Sequence, residues 1–140
     1  DSVAPDPMGA AAAMRAALAD AGLVAGDVGY INAHGTGTLA NDRSEAAAIR
    51  EVFGDQGPPV SSTKAAHGHG IGATGAFEAI AAIMALTEGL LPPNLGFEAT
   101  DPDCALDLVL GAARPAAVQA VMSNAFAFGG LNAVLVLAKG

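Results

Sequence analysis

Residues 28–38 read Val-Gly-Tyr-Ile-Asn-Ala-His-Gly-Thr-Gly-Thr, and this stretch decides the fold class. Its first six residues are typical of a β-strand, and they place His34 at the carboxyl end of that strand. Helical patterns lie before and after the glycine-rich turn. A strand enclosed in this way by helices indicates an α/β fold.

The rest of the chain continues the alternation of helices and strands. The whole pattern, α-β-α-β-α-β-β, predicts a mostly parallel sheet covered by helices. The predicted helices span 9–21, about 42–53 and roughly 73–88, and the predicted strands span 28–33, about 59–62, about 119–125 and 132–138.

Several local signals give sharper expectations. Asp42 with Glu45 resembles a capping box with aspartate as the cap, so the second helix is expected to start there. The run 133–137 is apolar throughout, which is typical of a strand buried on both faces. The third helix carries an apolar stripe at helical spacing: Phe77, Ile80, Ala81 and Met84.

The first seven residues form a polar, proline-containing segment with no strand before the first helix. A βα unit normally begins with its strand, so we expect the chain to be part of something longer. A sheet that lacks a strand exposes unpaired backbone groups and apolar side chains. We therefore expect residues 1–140 not to be a stable free monomer.

Composition narrows the class of protein. Apolar residues make up 52% of the 140 residues and charged residues 14%, which is too apolar for disorder. A net charge of −8, with six scattered basic residues, argues against nucleic acid. The apolar stretch 76–91 contains Glu78 and Glu88, so no membrane helix is expected. The single Cys104 excludes an internal disulfide, and a cytoplasmic location is the default.

Three residues form the candidate site. His34, Lys64 and His69 combine two imidazoles with an ammonium group, and the first two follow strand-like segments. Two imidazoles can hold a carbonyl oxygen and stabilise an enolate. A zinc site at His34, His67 and His69 is the weaker interpretation, because no carboxylate or thiol is spaced to complete the set.

The segment 70–75, Gly-Ile-Gly-Ala-Thr-Gly, matches the dinucleotide-binding fingerprint letter for letter. That fingerprint should directly follow a buried strand and lead to an acidic residue about twenty positions later. Here the candidate site residues intervene and the acidic residue is missing. We interpret these glycines as allowing a tight turn and close packing of the following helix, although a nucleotide-binding oxidoreductase stays open as an alternative.

Six motifs follow one another along the chain: Ile-Asn-Ala-His-Gly-Thr-Gly-Thr (31–38), Asn-Asp-Arg-Ser-Glu (41–45), Val-Ser-Ser-Thr-Lys (60–64), Gly-His-Gly-Ile-Gly-Ala-Thr-Gly (68–75), Pro-Pro-Asn-Leu (92–95) and Ser-Asn-Ala-Phe-Ala-Phe-Gly-Gly-Leu-Asn (123–132). Together they resemble the C-terminal half of β-ketoacyl-(acyl-carrier-protein) synthases. The resemblance implies a thiolase-like fold, a homodimer, no cofactor, and decarboxylative Claisen condensation of an acyl thioester with a malonyl-acyl carrier protein.

The resemblance also implies individual roles. His34 and His69 match the two catalytic histidines, Lys64 matches the active-site lysine, and Glu78 matches a glutamate behind them. Phe128 matches a gating phenylalanine whose backbone N–H helps to form the oxyanion hole.

The family's nucleophilic cysteine lies in an N-terminal half that this sequence does not contain, and Cys104 matches a non-catalytic position. Ala127 replaces a usual glycine, which is expected to alter gating. His67 stands where relatives often carry a hydroxyl or small residue. A non-catalytic, chain-length-factor-type subunit is the main alternative.

Overall fold

The computed structural model describes residues 5–140. This part of the chain contains four α-helices, all in its first two thirds, and six strands. The helices are α1 (Pro7–Ala21), α2 (Leu39–Phe53), α3 (Lys64–His67) and α4 (Thr74–Glu88). The strands are β1 (Val28–Asn32), β2 (Val60–Ser61), β3 (Leu90–Leu91), β4 (Arg114–Pro115), β5 (Ala120–Ala127) and β6 (Leu131–Ala138).

The main sheet has four strands in the order β2-β1-β5-β6. Strand β1 pairs in parallel with both β2 and β5, whereas β5 and β6 form an antiparallel hairpin. Strands β3 and β4 form a separate antiparallel pair, which the sequence patterns did not reveal. The prediction of an α/β fold is confirmed, but the sheet is mixed: two of its three strand pairings are parallel, and the longest, between β5 and β6, is antiparallel.

Helices cover both faces of this sheet. On one face, α1 and α2 bury Met14, Leu18 and Ile49 against β1 and β5. On the other, α4 buries Ala82, Ala85 and Leu86 against a second cluster that includes β1 and β5 residues. The central parallel strands therefore lie between two layers of helices. The carboxyl end of β1 leads directly to His34 of the candidate site.

The start of α2 differs from the prediction. The helix begins at Leu39 with Thr38 as its N-cap residue, so Asp42 lies inside the first turn rather than at the cap. The Asp42 carboxylate instead accepts a hydrogen bond from the backbone N–H of Gly37, in the preceding turn. The spacing of Asp42 and Glu45 resembles a capping box, but Asp42 accepts from the turn that precedes the helix and does not cap it.

The apolar stripe of α4 does not face the core. Phe77 is 45% exposed, Ile80 56% and Met84 58%, although the sequence pattern suggested a buried face. The buried face of α4 is made by small residues and by one charged side chain, Glu78. The small residues therefore allow α4 to pack closely on the sheet, and the larger apolar side chains lie on the face that points away from the sheet.

Strand β6 is an edge strand, so the prediction that it is buried on both faces is wrong. Leu131 and Leu135 are 71% and 51% exposed, whereas Val134 and Val136 pack against the core.

The first helix, α1, packs against β6 and α2. It therefore packs on the sheet through β6, and the predicted loop at 1–7 ends at Asp6, which caps α1. Residues 1–4 lie outside the described part.

The stretch Ile71–Glu88 is apolar and long enough, by composition alone, to cross a membrane, with a mean hydropathy of 1.3. Its Glu78 is fully buried and paired with Lys64, and α4 packs on β5. These contacts place one face of α4 on the sheet of a folded α/β domain.

Candidate active site

His34 lies just beyond the carboxyl end of β1, where the chain turns into α2. A buried carboxylate, that of Glu45, holds this turn by accepting hydrogen bonds from the backbone N–H groups of His34 (2.9 Å) and Gly35 (2.8 Å). Asn124 of β5 donates a third bond to Glu45, at 3.0 Å. Two of these bonds hold the backbone that carries His34, and the third holds the carboxylate that accepts them.

Gly35 is required at this turn for a steric reason. Its φ is +36°, and a β-carbon there would lie 2.5 Å from the Cβ of Ser62. The Ser62 hydroxyl also donates to the Gly35 carbonyl at 2.8 Å. The loop after β1 and the loop after β2 are thus held together, which brings the two segments that carry His34 and Lys64 into contact.

His69 lies in the turn between α3 and α4. The backbone N–H of Ile71 donates to its Nδ1 at 3.2 Å, and the Thr74 hydroxyl lies 3.1 Å from the same nitrogen. A backbone N–H can only donate, so Nδ1 must be the acceptor in this arrangement. The ring proton of neutral His69 is therefore on Nε2, where it is available as a donor.

The two imidazoles meet at the surface of the chain. The ring centroids of His34 and His69 are 5.8 Å apart, with the ring planes at 85°. Phe126 of β5 lies against His34 with the same centroid separation. Residues 35 positions apart in sequence thus form one pair of hydrogen-bonding groups.

Lys64 and Glu78 form a buried ion pair behind the histidines. Lys64 is only 7% exposed and Glu78 is fully buried. The ammonium group contacts the Glu78 carboxylate and donates to the backbone carbonyl oxygen of His34 at 2.5 Å. Burial raises the pKa of Glu78, and the neighbouring Lys64 opposes that change. Lys64 thereby connects the His34 turn to α4.

The protonation of His34 follows from its surroundings. Burial, together with the positive charge of Lys64 and then the neighbouring His69, lowers its pKa to about 4. His34 is therefore a neutral imidazole at physiological pH. A neutral imidazole can donate a hydrogen bond to an oxyanion without carrying net charge.

Phe128 lies apart from the packed pair. It begins the short turn Phe128–Gly130 between β5 and β6, and its side chain is 77% exposed. Ala127 has φ −140° and ψ 164°, which is ordinary extended backbone. The substitution of glycine by alanine is therefore compatible with this conformation, and the left-handed positions of the turn are Gly129 and Gly130.

His67 is engaged elsewhere. Its Nδ1 bonds to the Gly68 carbonyl at 2.8 Å and its Nε2 to the Thr63 hydroxyl at 3.0 Å, while Phe77 packs on its ring. Within residues 5–140, no three histidine, cysteine or carboxylate side chains come together as a metal-binding group. The fingerprint-like segment 70–75 follows α3 rather than a buried strand.

Sequence reasoning missed two residues of this site. Glu45 appeared as part of a helix start and of a motif, and Asn124 only as part of a motif, and neither was given a role in the site. A signal was available for Glu45, because it stands on the α2 face that also carries Ala46, Ala48 and Ile49. A carboxylate on a buried helix face requires partners. Nothing in the sequence identified those partners as the backbone at His34.

Cys104 lies on a different surface. It ends the short turn Pro102–Cys104, which packs against α2 and borders a cavity of about 500 Å³ between α2 and residues 94–108. Partial burial, then the carboxylates of Asp101 and Asp42, raise the pKa of its thiol. A thiol in such surroundings is not activated as a nucleophile.

The comparisons with known proteins agree on one family. Residues 1–98 match the family model described as the C-terminal domain of β-ketoacyl synthases. Nodulation protein E of Rhizobium meliloti is 54% identical over 134 residues, covering 94% of this chain and 33% of that protein. The 3-oxoacyl-(acyl-carrier-protein) synthase 2 of Synechocystis sp. is 45% identical over 137 residues, covering 96% of this chain and 33% of that protein.

Solved structures agree with this result. The ishigamide ketosynthase/chain length factor superposes with a TM-score of 0.96 at 45% identity, covering 99% of this chain and 34% of that one. The chain thus spans about a third of the length of the relatives it matches. The prediction of a thiolase-like ketosynthase fold is confirmed, and the chain belongs to the β-ketoacyl synthase family, in which it corresponds to the C-terminal domain.

Proposed function

We propose that the chain supplies the histidine and lysine part of an active site for decarboxylative condensation of an acyl thioester with malonyl-acyl carrier protein. The observation that carries the proposal is the pairing of His34 with His69, 5.8 Å apart between ring centroids, in front of a buried Lys64–Glu78 pair. The names of the relatives, among them a 3-oxoacyl-(acyl-carrier-protein) synthase, support the same reaction class.

The chemistry requires stabilisation of negative charge. Loss of carbon dioxide from a malonyl thioester leaves an enolate, whose oxygen must be held as charge develops. The Nε2–H of His69 is free to donate, and His34 is neutral because its pKa is lowered to about 4. In the proposed mechanism, both imidazoles donate to the malonyl thioester oxygen, and Lys64 orders the pair through the His34 backbone.

A second oxyanion forms on the acyl thioester during acyl transfer and condensation. We propose that backbone N–H groups near Phe128 stabilise it and that the Phe128 side chain gates access. Phe126 links this segment to the histidines because it contacts His34, and Gly129 and Gly130 give the turn its left-handed backbone.

The whole protein must also supply a nucleophile. We propose a cysteine in an N-terminal half of the full-length protein, because the raised pKa of Cys104 makes this thiol unsuitable. Such a half, and a second copy in a homodimer, would cover the exposed apolar side chains of α4 and β6. Acyl carrier protein would deliver the acyl and malonyl groups, without a cofactor, in the cytoplasm.

A second function has specific support. One structural neighbour is described as a ketosynthase/chain length factor, so the fold occurs in a complex that includes a chain-length factor. A subunit of that type would shape the substrate tunnel rather than catalyse. The presence of His34, Lys64 and His69 together favours the catalytic alternative.

The test measures two half-reactions of the full-length protein separately. His34→Ala and His69→Ala should each slow release of carbon dioxide from malonyl-acyl carrier protein by about 10² to 10³-fold, the usual cost of an oxyanion donor. Transfer of the acyl group to the enzyme should be less affected, because the proposed second oxyanion site uses backbone groups.

His67→Ala is the matched control, because this imidazole is bonded to Thr63 and Gly68. It should change carbon dioxide release by less than either active-site variant. Equal loss of both half-reactions in the His34 and His69 variants would contradict the division of roles. Absence of both reactions from the wild-type protein would favour the chain-length-factor alternative.

A further inference from the structure

We propose that the Thr74 hydroxyl is a positioning group that holds the His69 imidazole with its proton on Nε2. The inference rests on the proposed function for its consequence in catalysis, although its effect on the ring can be measured without catalysis. It gives a role to the glycine-rich segment 70–75, which resembles a dinucleotide fingerprint and whose glycines alone were interpreted as structural.

The geometry brings two donors to one atom. Nδ1 of His69 accepts from the Ile71 N–H at 3.2 Å, and Oγ1 of Thr74 lies 3.1 Å from the same nitrogen. Since the backbone group requires a lone pair on Nδ1, the hydroxyl must also donate to it. The two donors share the single lone pair of Nδ1, and together they hold the tautomer and the rotation of the ring.

The backbone that aims the first donor is strained. Ile71 has a φ of +51°, a left-handed conformation that is unusual for a β-branched residue. Its side chain is 78% exposed, so packing of that side chain does not explain the conformation. The turn directs the Ile71 N–H to His69, and a second donor from Thr74 adds to this arrangement.

The Thr74 hydroxyl has no role in capping its own helix. The hydroxyl oxygen of a threonine near a helix start usually accepts a hydrogen bond from one of the free backbone N–H groups there. In α4 the N-cap residue is Ala73, and no side chain caps the helix. Thr74 is 4% exposed, so its hydroxyl needs a partner within the protein, and that partner is His69.

Close packing sets the distance between the turn and α4. A β-carbon at Gly70 would lie 3.1 Å from the Phe77 ring and 3.6 Å from Oγ1 of Thr74. Glycine at this position therefore lets the chain pass close to the helix start. The segment 70–75 is thus a compact support for His69, in which glycine permits the approach and threonine supplies the polar contact.

The experiment uses the full-length protein labelled with ¹⁵N-histidine. Thr74→Val preserves the volume and the branch but removes the donor, so the fraction of His69 with its proton on Nδ1 should rise about threefold to tenfold, as loss of one neutral hydrogen bond implies. The nitrogen chemical shifts report this fraction, and a His69→Gln protein identifies the signal. Thr74→Ser should recover most of the wild-type ratio.

The same variants are then compared in release of carbon dioxide from malonyl-acyl carrier protein. Thr74→Val should slow this step about threefold to tenfold with little change in KM, and Thr74→Ser should recover most of the rate. Thr87→Val is the matched control on α4, because its hydroxyl donates only to backbone carbonyls at the far end of the helix. Thr74→Ala replaces the valine variant if that protein does not fold.

Several outcomes would overturn the inference. Identical His69 nitrogen shifts in the wild type, Thr74→Val and Thr74→Ser would remove it, as would a serine variant that behaves like the valine one. A shifted tautomer in a protein without any condensing activity would support the positioning role. In that case the positioning role of Thr74 would stand, and only the proposed function would be contradicted.

Discussion

The buried ion pair between Lys64 and Glu78 offers a quantitative test of the account. Glu78→Gln removes the countercharge from a lysine that is 7% exposed and whose remaining contact is the His34 carbonyl oxygen. Removing one partner from a buried pair leaves an uncompensated charge, which costs about 3–5 kcal/mol. We expect the free energy of unfolding of the full-length protein to fall by about that amount.

A double variant separates the charge effect from loss of shape. Replacing both partners with apolar residues, as in Lys64→Met with Glu78→Leu, leaves no buried charge, so it should be less destabilising than Glu78→Gln by about 2 kcal/mol or more. Equilibrium unfolding in urea gives both values. Glu51→Gln, in the exposed Arg15–Glu51 pair, is the control and should change stability by about 1 kcal/mol or less.

The refuting result is specific. If Glu78→Gln unfolds at the wild-type urea concentration, the pair does not hold a desolvated charge in solution. If the double variant is less stable than Glu78→Gln, loss of packing rather than an unpaired ammonium group explains the effect. Either result would remove the basis for assigning Lys64 the role of ordering the His34 turn.

Three further predictions follow from the site and the exposed faces. Cys104→Ser should leave acylation of the full-length protein within about twofold, because burial raises the pKa of this thiol; acylated peptides mapping to Cys104 would contradict it. The pKa of His34 is about 4 in the folded protein, against an ordinary value of 6.5, so between these pH values the unfolded chain binds more protons than the folded protein. The free energy of unfolding should therefore fall as the pH drops from about 6.5 to 4. His34→Asn should flatten this dependence in urea titrations at pH 7 and 5. Isolated residues 1–140 should self-associate through α4 and β6 in sedimentation equilibrium, and a monomer with concentration-independent unfolding would refute that.

The sequence predicted the elements that have strong local signals. Gly22 ends α1 with a φ of +67° and Gly89 ends α4 with a φ of +66°, both as expected for glycine after a helix. The alternation of helices with apolar strands was sufficient for the α/β class, and the motifs were sufficient for the family. Local rules work at these positions because backbone sterics decide the conformation.

The failures have a common physical origin in tertiary context. The stripe that includes Phe77 and Ile80 has the spacing of a buried helix face. The face of α4 that packs on the sheet is instead the one with Glu78 and small residues. Strand β6 reads as fully buried but lies at an edge. In both cases, hydropathy identifies apolar surface correctly and cannot say which neighbour covers it.

The candidate site shows the same limit. His34, Lys64, His69 and Glu78 were identified from the sequence, and the structure brings them together. The role of Glu45 in holding the His34 turn was not identified. Glu45 accepts hydrogen bonds from backbone N–H groups, and these groups are the same for any residue type except proline. Apart from Asn124, the partners of Glu45 are main-chain N–H groups, which leave no complementary side chain to recognise in a sequence.

The most direct test of the central claim is a double-mutant cycle on carbon dioxide release from malonyl-acyl carrier protein by the full-length protein. If His34 and His69 donate to one oxygen, each alanine variant should lose about 10² to 10³-fold, and the double variant should lose far less than the product of the two. A single variant that keeps the wild-type rate, or losses that multiply fully, would contradict a shared enolate site.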